Sequence, residues 1–207
     1  MFLKNKSIIA ITGPSGAGKT TLGDKLVLYN DIIIPHHCTT RAKRPDDKEG
    51  FYRYLSHDEY RRLQEDDKFL ITSGDGPIVI KEYGNFYGVL KQDCVDCWEN
   101  HDVILLFVSY KDLFRLLELK QEGYNIDIIN LTFNDLKNGI KTRLISDVRR
   151  NHSEGDILRR IESALMDEKK YGVLLRTYAK CVIFTDIDDI NQTYIKVNNV
   201  LKLARKK

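Results

Sequence analysis

The sequence predicts a three-layer α/β fold, in which a parallel five-stranded sheet is flanked by helices on both faces. Three observations carry this. Short apolar runs rich in β-branched residues alternate with longer amphipathic stretches. A glycine-rich loop sits directly between the first apolar run and the first helical pattern. Residues 38–92 then break the alternation with aromatics and short strand-like segments. Strand–helix alternation implies parallel strands joined by helical crossovers, which cover both faces of the sheet.

Five segments are the strand candidates: residues 8–12, 32–34, 103–108, 126–131 and 182–184. Each is short and nearly free of charge, as a strand buried on both faces must be. Helical patterns run over residues 20–29, 111–122, 134–144, 156–177 and 189–204. Inside the interruption, residues 51–55 alternate as a half-buried strand. Ser56, with Glu59 three residues on, forms a capping box that starts a helix reaching about Asp66. Gly74-Asp75-Gly76 predicts a hairpin turn between strands at 69–73 and 78–82. The whole chain, 1–207, is therefore expected to be one domain. Its core comprises 1–37 and 93–207, with an inserted lobe at 38–92 and a polar lid at about 145–156.

Composition excludes several classes. A chain of 207 residues, 42% apolar and 30% charged, has the profile of a soluble globular domain with a proper core. The net charge of +3 is too small to point to nucleic acid, and basic residues gather in the last four positions as a solvated tail. No run approaches the roughly 20 apolar residues of a membrane span. The apolar run within residues 1–12 is too short for a signal peptide, so cytoplasm is the expected compartment, without a membrane partner. Cys94 and Cys97 make a single CxxC with no second pair and no nearby histidine pair. They read as reduced thiols on a helix face beside Trp98.

Gly13-Pro14-Ser15-Gly16-Ala17-Gly18-Lys19-Thr20 matches G-x-x-x-x-G-K-[ST] in full, between a strand and a helix. Glycines let the backbone curl until several N–H groups point at one phosphate, and the helix N-terminus adds partial positive charge. The expected ATP-binding set is Gly13, Ser15, Gly16, Ala17, Gly18, Lys19, Thr20 and Thr21. Lys19 supplies a cation for the β- and γ-oxygens, and the Thr20 hydroxyl is the expected ligand of Mg²⁺. The loop names a nucleoside triphosphate and no particular reaction.

Cys38-Thr39-Thr40-Arg41-Ala42-Lys43-Arg44, followed by Asp47, Gly50, Tyr52 and Leu55-Ser56, resembles the guanylate kinase signature T-T-R-x-x-R-x-x-E-x-x-G-x-x-Y. Tyr52 is matched by allowing a one-residue deletion after Gly50. Gly84-Asn85-Phe86-Tyr87-Gly88 resembles that family's G-N-Y-Y-G, and the likeness runs from the glycine loop to the last strand. The resemblance implies ATP-dependent phosphoryl transfer to a phosphate monoester, with GMP the family default and Mg²⁺ accompanying ATP. It implies that Arg41, Arg44, Tyr52 and Tyr87 hold the acceptor's phosphate. Two guanidinium forks and two phenolic hydroxyls suit a dianion. Arg149 and Arg160 keep the eleven-residue separation of the family's two lid arginines, with Arg150 and Arg159 as neighbouring alternates. With Lys19 they form the expected catalytic set, neutralising charge on the transferring group.

The match fails where the family reads guanine. His37 replaces a serine, Ile71 a glutamate and Val89 a serine or threonine; Phe107 and Ser109 replace two acidic residues at the end of the third core strand. Glu82 is a candidate substitute carboxylate, and His37 a candidate contact to a base or a second phosphate. Two alternatives therefore stay open. One is a non-guanine acceptor such as ribose 1,5-bisphosphate, whose phosphokinases resemble this chain at Val89 but lack the second arginine kept here as Arg44. The other is a phosphopeptide-binding module, against which the complete loop argues. The expected partners are ATP and a small phosphorylated acceptor, with the chain a monomer or homodimer.

Overall fold

The computed structural model describes residues 6–73, 85–147, 152–186 and 189–202. Its central sheet is parallel throughout, with strand order β6-β1-β7-β8: β1 is Ser7–Thr12, β6 is Val103–Phe107, β7 is Asn125–Thr132 and β8 is Cys181–Phe184. β1 lies in the middle, with Ser7 opposite Val103 on one side and Asn125 on the other. Because strand side chains alternate, each strand feeds two cores. Ile8, Ala10, Ile104, Leu106, Ile126 and Ile128 pack on one face. Ile9, Ile11, Leu105, Ile129 and Leu131 pack on the other. Fully burying one such aliphatic side chain stabilises by roughly 1.5–3 kcal/mol, so these apolar runs contribute strongly to the sheet's cohesion.

The sheet has four paired strands among the described residues, not the five expected. In segment 32–34 only Ile33 pairs, by a single parallel bridge to Ile104. Pro35 has no N–H with which to continue a ladder. By His37 the chain has already entered the second sheet.

Helices cover both faces: α1 (Lys19–Tyr29), α3 (Lys91–Asn100), α4 (Leu113–Gln121), α5 (Leu136–Ser146), α6 (Glu154–Tyr178) and α7 (Ile190–Leu201). A 3₁₀ turn, Tyr110–Asp112, links β6 to α4. The Ser153 hydroxyl caps α6, accepting from the Asp156 N–H. No helix among the described residues is long and apolar enough to cross a membrane. All four thiols are unpaired, and burial pushes that of Cys94 far up, away from the thiolate form.

The inserted lobe has its own mixed sheet, order β3-β2-β5-β4, from β2 (His37–Thr39), β3 (Tyr52–Tyr54), β4 (Phe69–Ser73) and β5 (Tyr87–Leu90). α2 (His57–Glu65) lies against it and carries the capping box expected at Ser56 and Glu59. Tyr60, Cys38, Phe69 and Leu90 form a separate small core for the lobe. The hairpin expected at 74–76 and the strand at 78–82 lie outside the described residues.

Candidate active site

The glycine loop folds as its composition demands. Gly13 sits so close to β7 that a Cβ there would lie 2.3 Å from the Leu131 carbonyl oxygen; Gly16 and Gly18 adopt φ of 80° and 83°, a region side chains disfavour. The loop delivers the chain into α1, with Lys19 and the exposed Thr20 in its first turn. The Lys19 ammonium turns back and donates to the carbonyls of Gly13 at 2.7 Å and Pro14 at 2.8 Å. Burial, then the nearby Arg160 charge, pulls its pKa down to about 8.

The expected acceptor cradle is built from side chains. Arg41, only 6% exposed, makes a two-pronged ion pair with Asp47, both N–H···O distances being 2.6 Å. Its guanidinium stacks 4.6 Å from the Tyr52 ring centre, and the Tyr54 hydroxyl donates to Asp47 at 2.6 Å. The Arg44 backbone N–H also donates to Asp47, at 2.7 Å. Asp47 is therefore the organiser of this loop, and these donors hold its carboxyl well below the usual carboxylate range. Sequence reasoning placed Asp47 in the signature but gave it no role. An acidic residue three positions after the second arginine was the available signal.

Loop and lobe meet around a cavity of about 380 Å³. Gly13, Pro14 and Ser15 line it from the loop, Arg44, Asn85 and Tyr87 from the lobe, and Ser109 and Tyr110 from the end of β6; Arg160, Ser163, Ala164 and Asp167 line it from α6. Of the four expected phosphate ligands, Arg44 and Tyr87 face this space. Arg41 and Tyr52 stand outside its lining and stack on each other. Arg160 donates to the Ser15 hydroxyl at 2.7 Å, which ties α6 to the loop. Its neighbour Arg159 pairs with Asp156 at the surface, so of these two alternates Arg160 is the one directed at the loop. Arg149 and Arg150 lie outside the described residues, as does most of the turn between α5 and α6.

The positions that depart from the signature are filled structurally. Ile71 and Val89 are buried in the core beneath the lobe. His37 does not reach toward a ligand. Its Nδ1 donates to the Pro35 carbonyl at 3.0 Å, and its Nε2 accepts from the Phe107 N–H at 3.2 Å. Since a carbonyl can only accept and an N–H only donate, the ring is the neutral tautomer, and burial pulls its pKa down to about 4. The Ser109 hydroxyl donates to Asp112 at 2.9 Å. Phe107 fills space above α1 that exists because residue 23 is glycine; a Cβ there would lie 2.4 Å from the Phe107 ring. Glu82 lies outside the described residues.

A parallel sheet ending in a glycine loop, a lobe inserted after the first helix, and a cavity shared by the two define a P-loop protein of the nucleotide-kinase type. No family profile matches the chain. Individual relatives do. It is 30% identical over 187 residues to the guanylate kinase of Caldanaerobacter subterraneus subsp. tengcongensis, covering 89% of this chain and 82% of that protein. It is 30% identical over 145 residues to that of Clostridioides difficile, covering 69% and 67%. In structure it is similar to guanylate kinase from Anaplasma phagocytophilum, with a TM-score of 0.65 at 22% identity over 98% of this chain and 88% of that one. The chain belongs to the guanylate kinase family.

Proposed function

We propose that this protein transfers the terminal phosphoryl group of ATP to the phosphate of GMP, giving ADP and GDP. The observation that carries the reading is the shared cavity, which Gly13–Ser15 and Arg160 line together with Arg44 and Tyr87. In the reaction an oxygen of the acceptor phosphate attacks the γ-phosphorus, a new P–O bond forms, and the bond to the β-bridging oxygen breaks with its electrons leaving on ADP. The attacking phosphate is already an anion, so no side-chain base is needed. The protein's task is to bring two repelling phosphates into line and neutralise them.

Each expected residue has a place in that task. Gly13, Ser15, Gly16, Ala17, Gly18, Lys19, Thr20 and Thr21 hold the ATP phosphates, and Lys19 leaves the Gly13 and Pro14 carbonyls for the β- and γ-oxygens. Arg44 and Tyr87 meet the acceptor phosphate directly. Arg41 adds its remaining N–H groups beside Tyr52 while Asp47 fixes its direction. Arg160 reaches the transferring group from α6, and Arg149 joins it when the lid, about 145–156, closes over a core of 1–37 and 93–207 and a lobe of 38–92.

Thr20, exposed on the first turn of α1, suits Mg²⁺, which keeps several waters and needs few protein oxygens beside the substrate phosphates. When bound, the ion neutralises charge on the β- and γ-oxygens.

A second reading, a kinase for a non-nucleotide phosphate monoester, draws on the buried Ile71 and Val89 and on His37, both of whose ring nitrogens are already hydrogen-bonded. A coupled assay of ADP release by the full chain with ATP and Mg²⁺ separates the two. GMP is expected to be turned over in preference to AMP and ribose 1,5-bisphosphate. Turnover of ribose 1,5-bisphosphate with none of GMP would overturn the first reading, and no acceptor-dependent ADP release would overturn both.

A further inference from the structure

One wall of the cavity is a single face of α6. Arg160, Ser163, Ala164 and Asp167 fall at offsets of 0, 3, 4 and 7 residues, one stripe of a helix with 3.6 residues per turn, and all four line the space. α6 packs against the turn Tyr110–Asp112, so Ser109 and Tyr110 complete this wall. Asp167 is the only acidic residue among the described lining residues. It is half-buried, and no group among the described residues donates a hydrogen bond to it. Burial raises its pKa, with Lys111 and Lys170 acting in the opposite sense.

A carboxylate that accepts no hydrogen bond among the described residues is an odd wall for a cavity proposed to take phosphates, because like charge weakens their binding. Its place there makes chemical sense if the acceptor brings hydrogen-bond donors to it. Guanine does so on one edge, where N1–H and the N2 amino group stand side by side and match the two oxygens of a carboxylate. Adenine places an unprotonated nitrogen on that edge, which a carboxylate repels. The lobe and strand positions where acids were expected carry Ile71, Phe107 and Ser109, and the Ser109 hydroxyl is already engaged by Asp112. We propose that Asp167 is the carboxylate that reads the acceptor base, accepting from guanine N1–H and N2–H₂, so that base recognition comes from α6 and not from the inserted lobe. The assignment rests on the GMP-kinase reading above.

The test is steady-state kinetics of the full chain with GMP, IMP, which lacks the 2-amino group, and dGMP, which keeps the base and changes the sugar. Wild-type protein, Asp167→Asn, Asp167→Ser and Glu82→Gln are compared, with melting temperatures measured for each. In wild-type protein GMP is expected to exceed IMP in kcat/KM by about tenfold, and dGMP to follow GMP. Asp167→Asn is expected to lower kcat/KM for GMP by about 10- to 100-fold, the scale of hydrogen bonds to a charged group. It should bring the GMP/IMP ratio close to one and leave the KM for ATP in place, with Asp167→Ser behaving alike. An unchanged GMP/IMP ratio in both Asp167 variants would overturn the proposal. So would a rise in the KM for ATP matching the loss with GMP, a loss confined to sugar-bearing discrimination between GMP and dGMP, or a ratio that collapses in Glu82→Gln alone. Absence of GMP turnover in wild-type protein would remove the parent reading and this one with it, whereas normal turnover with an unmoved ratio removes only the base assignment.

Discussion

The two regions proposed to hold phosphates are built from different parts of the chain. The loop at 13–20 is mostly backbone. Its N–H groups are aimed by glycine conformations and by the close approach of β7, and its one side-chain cation, Lys19, rests on the loop's own carbonyls. The lobe's cradle is mostly side chain, and long side chains are not aimed by their backbone. Asp47 supplies the aim, fixing Arg41 through two charged hydrogen bonds, while the Tyr52 ring lies against the guanidinium and the Tyr54 hydroxyl donates to Asp47. A backbone cradle is thus set by local sequence. A side-chain cradle needs a counter-charge in place before the ligand arrives.

The largest break in this comparison is expected from Lys19→Ala. Removing the loop's mobile cation should lower kcat/KM for ATP by about 10³-fold, or ~4 kcal/mol of transition-state stabilisation. The melting temperature should hold, since the ammonium contacts only loop carbonyls. Loss of structure in that variant would mean Lys19 is a fold residue.

The lobe sharpens the contrast through two neighbours. Asp47→Asn leaves the buried Arg41 charge without its partner and is expected to cost about 3 kcal/mol, a fall of roughly 6–12 °C in Tm for a domain of this size. Arg44→Ala should leave Tm unmoved, because among the described residues no carboxylate pairs with its guanidinium. It should raise the KM for GMP by about 10- to 100-fold at constant KM for ATP. Thermal unfolding and steady-state kinetics check both. Equal Tm losses in the two variants would contradict the division of labour between the two arginines.

The smallest effect is in pH. Burial and Arg160 disfavour the charged form of Lys19, so its proton leaves near pH 8 instead of at the usual lysine value. In the proposed reaction the protonated form is the one that meets phosphate. The kcat/KM for ATP is therefore expected to fall as pH rises through about 8, approaching tenfold per unit beyond it. Bound ATP favours the ammonium, so the corresponding limb in kcat should lie at higher pH. A kcat/KM for ATP that stays flat to pH 10 would show that Lys19 keeps an ordinary lysine pKa.

How much of this was legible in the sequence follows from the same distinction. The strands of the core, the glycine loop and the Ser56 capping box depend on near neighbours and were read directly. The fifth strand was not, because Pro35 and the turn into the lobe cut the segment at 32–34 to one bridge. His37 was read as a possible ligand contact, yet its ring joins Pro35 to Phe107, a partner 70 residues away. The grip of Asp47 on Arg41 is a tertiary ion pair, invisible to spacing alone. The placement of Asp167 in the cavity depends on how α6 rotates against the turn after β6.

Whether the loop and the lobe bind two ends of one reacting pair can be measured by calorimetry with adenosine and guanosine joined through five phosphates, in the presence of Mg²⁺. Occupying both cradles at once should give an affinity about 100-fold or more above that of a non-hydrolysable ATP analogue alone. Lys19→Ala and Arg44→Ala should each remove a large part of that gain. An affinity equal to that of the ATP analogue, unchanged in Arg44→Ala, would contradict the account.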